Sequence, residues 1–260
     1  MAEIRAKKQL GQHFLRDLTA AERIAKALTL DSVEHILEVG PGTGVLTQYL
    51  IQRPATLHAI ELDRESIPVL HAKFPHMSAR LYHADLLRWR EPEPLASEPF
   101  ALAGNFPYNI SSQIVFWMLA RRERIPEMAG MFQKEVAQRL AADPGSKIYG
   151  VTSVLTQAYY DVEYLFTLDE GAFDPPPKVK SGVIHLTRKP NAPDVPYKDL
   201  ATVVKTAFGQ RRKTLRNALK SLTFSQPNAL EDVAQLRAEQ LSVDDFVHLA
   251  KMLDHGRINQ

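Results

Sequence analysis

A chain of 260 residues with 45% hydrophobic side chains suffices for one full domain and a small appendage, and its formal net charge of +2 names no partner by itself. The absence of cysteine excludes disulfides, thiolate catalysis and Cys-based zinc sites, and the nine histidines never take the H-E-x-x-H spacing of a helical zinc site, so no metal is expected. The amino terminus, MAEIRAKKQLGQHFL, is charged and lacks a signal-like apolar stretch, and no later run reaches bilayer length; a cytoplasmic protein without a membrane partner is the expectation.

In chain order, residues 19–30 carry Ile24, Ala25 and Leu28 at helical spacing. Residues 35–39 form a short apolar strand that runs into a glycine-rich turn, and 45–52 read as helix. Strands follow at 56–61 and 79–83, with Asp63 a plausible cap between them. A fourth strand, 100–104, leads through a loop to the apolar helix 111–121. Residues 128–132 continue the series, with a helix at 134–141. Tyr160, Val162, Tyr164 and Phe166 alternate with polar neighbours as in a half-buried strand, and 182–187 is its expected antiparallel partner. Such alternation predicts an α/β domain with a mostly parallel sheet of seven strands over residues 1–189. The proline-rich stretch 189–196 (KPNAPDVP) reads as a linker. Beyond it every predicted element is helical, at 200–208, 214–222, 229–240 and 243–253, so 190–260 is expected to be a small all-α domain.

Three loops carry the chemistry. The first, Glu38-Val39-Gly40-Pro41-Gly42-Thr43-Gly44, lies where a strand gives way to a helix, and glycines there let the backbone approach a ligand. Its G-x-G-x-G spacing brings the third glycine one position earlier than in dinucleotide binders. Glu61 closes the next strand about 20 residues on, where a carboxylate accepts both hydroxyls of a ribose. Glu38 supplies negative charge that suits a methionine-derived sulfonium better than a pyrophosphate. Asp85 is placed to accept from an adenine amino group, although an ordinary turn or cap role explains it equally well when taken alone. Gln12-His13-Phe14-Leu15 lies upstream and can fold over the methionine end.

Asn105-Phe106-Pro107-Tyr108 is the second loop. The exocyclic N6 of adenine is a poor nucleophile because its lone pair is delocalised into the ring. The Asn105 side-chain oxygen and a backbone carbonyl, that of Phe106, can accept its two protons and free that pair, while Pro107 stiffens the turn and Tyr108 offers a stacking face. Phe173, which opens the third loop Phe173-Asp174-Pro175-Pro176-Pro177-Lys178-Val179, is the candidate for the other side of an aromatic clamp on an unstacked base; burial in the core is its plainer alternative. Basic clusters surround these loops in sequence: Arg5, Lys7 and Lys8; Arg121, Arg122 and Arg124; Lys178 and Lys180; and Arg211, Arg212, Lys213 and Arg216, of which Arg212 and Arg216 share a face if the segment is helical. Together they favour phosphate contacts with an RNA loop or single strand.

The series GQHFL, EVGPGTGVLT, ELD, ADLL, GNFPYNISSQI, MFQKEVAQRL, FDPPPKV and FGQRRKTLRN resembles, over nearly the whole chain, the ribosomal RNA adenine N6-dimethyltransferases, and most closely those acting on small-subunit (16S) RNA. The resemblance implies a Rossmann-like S-adenosylmethionine-dependent methyltransferase domain with a helical carboxy-terminal RNA-binding domain. It implies cofactor contacts at His13, Leu15, Gly40, Glu61, Asp85 and Asn105, to which the glycine turn adds Gly42. It also implies dimethylation of two adjacent adenosines in the loop of the 3′-terminal helix, on the pre-30S particle. Phe106 stands where Leu is commoner in the family, and His13 where Asn often stands. Erythromycin-resistance methyltransferases acting on large-subunit RNA share most of the pattern, and an assembly factor whose binding outweighs its catalysis is a further alternative. A DNA adenine methyltransferase shares the Asn-x-Pro-Tyr logic, but a tail of roughly 65 residues is short for a target-recognition domain. A monomer is the expected state.

Overall fold

The computed structural model describes residues 6–226 and 228–254. A short strand β1 (Phe14–Leu15) precedes helix α1 (Leu18–Ala27), whose start is capped by Asp17 Oδ1 accepting from Ala20 N–H at 2.9 Å. Ala20, Ala21, Ile24 and Ala25 form its buried stripe. Strand β2 (His35–Val39), helix α2 (Thr47–Leu50), β3 (Thr56–Glu61), α3 (Ser66–Lys73) and β4 (Leu81–His83) follow. Then come β5 (Phe100–Asn105), α4 (Ser111–Ala120), β6 (Glu127–Gln133), α5 (Lys134–Leu140) and α6 (Val151–Gln157). The chain continues through β7 (Tyr160–Leu168), β8 (Phe173–Asp174) and β9 (Ser181–Arg188) to α7 (Tyr197–Gly209), α8 (Leu215–Ala218) and α9 (Val243–Lys251).

The main sheet has seven strands in the order β4-β3-β2-β5-β6-β9-β7. From β4 to β6 the pairings are parallel, and β9 runs antiparallel to β6 with Met128 opposite Leu186 and Ala129 opposite His185. Helices cover both faces of such a sheet, so its central strands are apolar throughout rather than alternating; Phe100 to Ala103 are all fully buried. A separate ribbon pairs β1 with β8, Leu15 opposite Phe173. The fold is a Rossmann-like α/β architecture.

Two compact units divide the chain: residues up to Ala137 with Val162–Arg188, and Gln138–Asp161 with the residues from Lys189 onward. The linker at 189–196 marks one crossing between them. The other two, after Ala137 and after Asp161, have no mark in the sequence, and α6 between them is not expected there: its segment VTSVLTQ is rich in β-branched residues and carries no helical stripe. Inside the second unit, Tyr149 packs on Phe208 with ring centroids 6.1 Å apart, and Phe208 on Phe246 at 5.8 Å. A capping box starts α9, Ser242 Oγ accepting from Asp245 N–H at 3.1 Å and Asp245 Oδ2 from Ser242 N–H at 2.8 Å.

The helix expected at 229–240 is instead a run of turns ending in a short 3-10 segment, Ala238–Gln240. The carbonyls of Leu236 and Ala234 accept from the amides of Leu215 and Arg216 at 2.8 and 3.1 Å. Those acceptors serve the start of α8 and are lost to any helical ladder of their own. The helix expected at 214–222 likewise shrinks to α8.

Candidate active site at the carboxyl ends of the strands

In a doubly wound sheet, ligands enter beyond the carboxyl ends of the strands, where the strand order reverses. Here the reversal falls between β2 and β5, which are neighbours although β3 and β4 lie between them in sequence. One cleft at that point is lined by residues Gly40 to Thr43 of the turn after β2, Glu61 at the end of β3, Asp85 beyond β4, Asn105 to Tyr108 at the end of β5, and the Leu10–Leu15 segment.

Gly42 has φ +57°, and a Cβ on it would stand 3.0 Å from the Phe14 ring, so the turn needs glycine on two counts. Its N–H donates to Glu61 Oε2 at 2.9 Å, and Asp63 N–H donates to Glu61 Oε1 at 2.7 Å. Burial nevertheless raises the Glu61 carboxyl above its ordinary range, against the pull of those amides. Asp63 anchors the amino-terminal segment, taking Lys7 Nζ at 2.6 Å and Gln12 Nε2 at 2.9 Å. Burial alone would raise the Asp63 carboxyl, but these two donors, the Glu65 amide and the Lys7 charge together hold it below its ordinary value. Asp85 Oδ1 accepts from Leu87 N–H at 3.0 Å, the ordinary turn role, while the residue lines the cleft.

Asn105 Nδ2 donates to the His13 carbonyl at 2.8 Å. A carbonyl only accepts, so this bond sets the amide orientation and leaves Oδ1 as an acceptor for the cleft. His13 Nδ1 donates in turn to the Pro175 carbonyl at 2.8 Å, and its ring lies 5.4 Å from that of Tyr108. The Tyr108 hydroxyl is hydrogen-bonded to the buried Ser181 hydroxyl. The Phe106 side chain turns away into the core, 4.7 Å from the Phe132 ring centroid. Gly104 and Gly130, paired across β5 and β6, make room for it: a Cβ on either would come within 2.9 or 2.3 Å of its ring.

Residues 3–255 match the ribosomal RNA adenine dimethylase family. The chain belongs to that family. It is 49% identical over 256 residues to a ribosomal RNA small subunit methyltransferase A of Flavobacterium johnsoniae, the alignment covering 98% of each chain. Among solved structures it is similar to a dimethyladenosine transferase of Plasmodium falciparum, with TM-score 0.78 and 23% identity over 93% of this chain and 99% of that one. The 23S rRNA methyltransferase ErmE follows with TM-score 0.71 and 26% identity, over 93% and 99% of the two chains.

The family takes its methyl groups from S-adenosylmethionine, and the cleft fits that cofactor by charge. Glu38, Glu61 and Asp85 line it, and among the described residues no lysine or arginine does. Glu38 is 1% exposed, and its Oε2 makes no well-formed hydrogen bond among the described residues, the Thr47 hydroxyl being the side-chain donor that acts on it. A buried carboxyl with an unmatched oxygen can ionise beside a cationic ligand and gains nothing from a pyrophosphate, which would also have to displace Glu61 from the Gly42 amide.

His13, Leu15, Gly40, Gly42, Glu61, Asp85, Asn105, Phe106 and Tyr108 therefore meet in one place. Phe173 does not share it as a stacking ring. Its side chain is 3% exposed, packed in the core with Leu15 and Val183, so the clamp reading is corrected: pairing of β8 with β1 turns the ring inward.

The Arg121, Arg122 and Arg124 cluster is also corrected. Arg121 pairs with Glu91 and lies over the Trp117 ring at 4.0 Å; Arg122 Nη1 donates to the Leu119 carbonyl at 3.2 Å; Arg124 donates to the Leu95 carbonyl. The Arg124 carbonyl accepts from Phe100 N–H at 2.8 Å, which puts this cluster at the amino end of β5, roughly 16 Å of strand away from Asn105. Lys7 is likewise spent on Asp63 and Glu65, and Arg5 lies outside the described residues.

Lys180 pairs with Asp169 at 2.7 Å on the surface, and Lys178 is exposed. In the second unit Arg211 pairs with Glu239 at 3.7 Å and donates to the Ser146 carbonyl at 3.3 Å. Arg212, Lys213 and Arg216 are exposed, but Arg212 sits in the turn between α7 and α8, so no helical face joins it to Arg216. Sequence reasoning missed Ser181 and the anchoring role of Asp63. The ELD triplet signals the second; nothing in the sequence links Tyr108 to a serine 73 residues away.

Proposed function

We propose that the chain dimethylates N6 of two adjacent adenosines in the loop of the 3′-terminal helix of small-subunit (16S) ribosomal RNA, acting as a cytoplasmic monomer on a late pre-30S particle. The likeness in sequence to a small-subunit methyltransferase, at nearly twice the identity found with the 23S enzyme, supports the choice of RNA. The observation that carries the chemistry is the Asn105 amide, whose nitrogen is committed to His13 and whose oxygen is therefore free to accept.

Bound S-adenosylmethionine supplies an electrophilic methyl group on a sulfonium. The remaining work falls to the protein. Asn105 Oδ1 and the Phe106 carbonyl accept the two N6 protons of the target base, drawing the nitrogen toward tetrahedral geometry and releasing its lone pair. Tyr108, its hydroxyl tied to Ser181, presents its ring to the base. No strong base is required, because the N6 proton leaves after the methyl has arrived. His13, Leu15, Gly40, Gly42, Glu61 and Asp85 hold the cofactor, with Glu61 on the ribose and Asp85 on the adenine amine. Arg212, Lys213, Arg216 and Lys178 contact RNA phosphates.

The test is transfer of labelled methyl from S-adenosylmethionine to purified small-subunit particles, large-subunit particles and naked RNA, with the products analysed by mass spectrometry. Dimethyladenosine in small-subunit RNA alone is the expected result. Product in the large subunit alone would assign the chain to the erythromycin-resistance reaction, and no dimethyladenosine anywhere would overturn the proposal.

A further inference from the structure

The three carboxylates of the cleft are not equivalent. Glu61 accepts a backbone amide on each oxygen. Asp85 accepts from Leu87 and has a side chain 37% exposed to solvent. Of the three, Glu38 alone is fully buried with an oxygen that makes no well-formed hydrogen bond among the described residues, only the Thr47 hydroxyl acting on the carboxyl. It sits on β2, flanked by Ala59 of β3 and Ala103 of β5, so neither neighbouring strand offers it a counter-ion at that level. The other titratable groups lining the cleft are His13, Glu61, Asp85 and Tyr108. Burial pushes the Glu38 carboxyl up to about 8; the Thr47 hydroxyl works the other way, and the nearby Glu61 charge adds to the rise. At neutral pH the protein alone therefore holds Glu38 largely in its neutral acid form.

We propose that Glu38 is a switchable counter-charge: it gives up its proton to solvent when the sulfonium of the cofactor enters, recovers one when the product that has lost that sulfonium charge is left behind, and so makes the cleft prefer the methylated cofactor to the spent one. The proposal rests on reading this cleft as the cofactor site. The charges balance. Binding converts a neutral acid and a sulfonium into a carboxylate–sulfonium pair plus one proton in solvent. In transfer the electron pair of the S–CH3 bond stays on sulfur, the methyl joins N6, and the N6 proton departs. The thioether that remains has no positive sulfur, so the buried carboxylate has lost its partner and takes a proton back from solvent. By linkage, each unit by which the cofactor lowers the Glu38 pKa corresponds to about tenfold in affinity.

The test is calorimetric binding of S-adenosylmethionine and S-adenosylhomocysteine to the full chain at pH 7, in buffers of different ionisation enthalpy. Close to one proton should be released per S-adenosylmethionine and clearly fewer per S-adenosylhomocysteine, and the release should vanish at pH 9, where Glu38 is already ionised. The pH arm needs no variant. Glu38→Gln, nearly isosteric, should abolish the release and cut the preference for the methylated cofactor about tenfold. Proton release that survives Glu38→Gln, or a wild-type protein that releases none at pH 7, overturns the proposal while leaving the cleft as the binding site. Calorimetric affinity unchanged by Gly42→Val would instead remove the cofactor from this cleft and overturn both.

Discussion

The two ends of the sheet handle charge in opposite ways. At the amino end Arg121 is tied to Glu91 and Arg124 to the Leu95 carbonyl, while the His35 ring meets Glu98 at 3.0 Å and the neutral His58 ring meets Tyr82 at 3.2 Å. At the carboxyl end Glu38 keeps a bare oxygen and Asn105 a committed nitrogen beside a free acceptor. Unmatched polar atoms cost stability, so a fold retains them where a ligand completes them. Counting basic residues along the chain points to the wrong end; asking which groups lining a cleft keep an acceptor unmatched points to Glu38 and Asn105.

Substitution at the unmatched end should show the largest effect. Asn105→Ala removes the oriented acceptor and is expected to lower the methyl-transfer turnover about 10²–10³-fold, on the scale of losing one fixed transition-state hydrogen bond. Calorimetry should show cofactor affinity only partly weakened. Turnover at the wild-type level would remove Asn105 from the chemistry and erase the distinction between the two ends.

The matched end responds to pH through stability. Burial, then the His35 and Arg80 charges, lower His58 to about 4 from 6.5. The folded state thus refuses a proton that the unfolded chain binds, so this contribution is complete above pH 6.5 and is lost as pH falls toward 4. It amounts to roughly 3 kcal/mol at most. Urea unfolding of wild type and His58→Gln across that interval should converge as the pH falls, because the variant has no such group to titrate. Parallel curves would mean that His58 is not held neutral. Arg121→Ala, which leaves the Glu91 carboxylate only the longer pair with Arg124 at 3.8 Å, should cost about 2 kcal/mol of stability while leaving RNA affinity unchanged. Weakened RNA binding with intact stability would return that cluster to the nucleic acid.

Much of this was legible because parallel strands end in loops that the sequence marks. The turn after β2, Glu61 after β3 and Asn105 at the end of β5 each close an apolar run, and runs that pair in parallel bring their ends together. What the sequence hid were partners far apart in the chain. The Arg121–Arg124 charges look free until Glu91 and Leu95, some 30 residues earlier, are seen against them. An aromatic beside three prolines reads equally as a stacking ring or a core ring, and only the β1–β8 ribbon decides for Phe173. The bare oxygen of Glu38 is a property of its surroundings, invisible in any local pattern.

The smallest expected effect carries the same comparison into the second unit, where matched and unmatched arginines stand almost side by side. Arg211 is held by Glu239 and the Ser146 carbonyl, whereas Arg212 and Arg216 are exposed and make no side-chain ion pair among the described residues. If unmatched charge marks the binding surface here too, changing Arg212 and Arg216 together to Ala should lower the slope of log affinity against log salt by about one per lost phosphate contact. Arg211→Ala should instead leave that slope alone and lower the unfolding midpoint, since its loss uncovers Glu239 and the Ser146 carbonyl. Fluorescence-anisotropy titrations of a small-subunit RNA fragment over a range of salt separate the two. A slope unmoved by the double variant and reduced by Arg211→Ala would mean that partnered cations, not bare ones, meet the RNA.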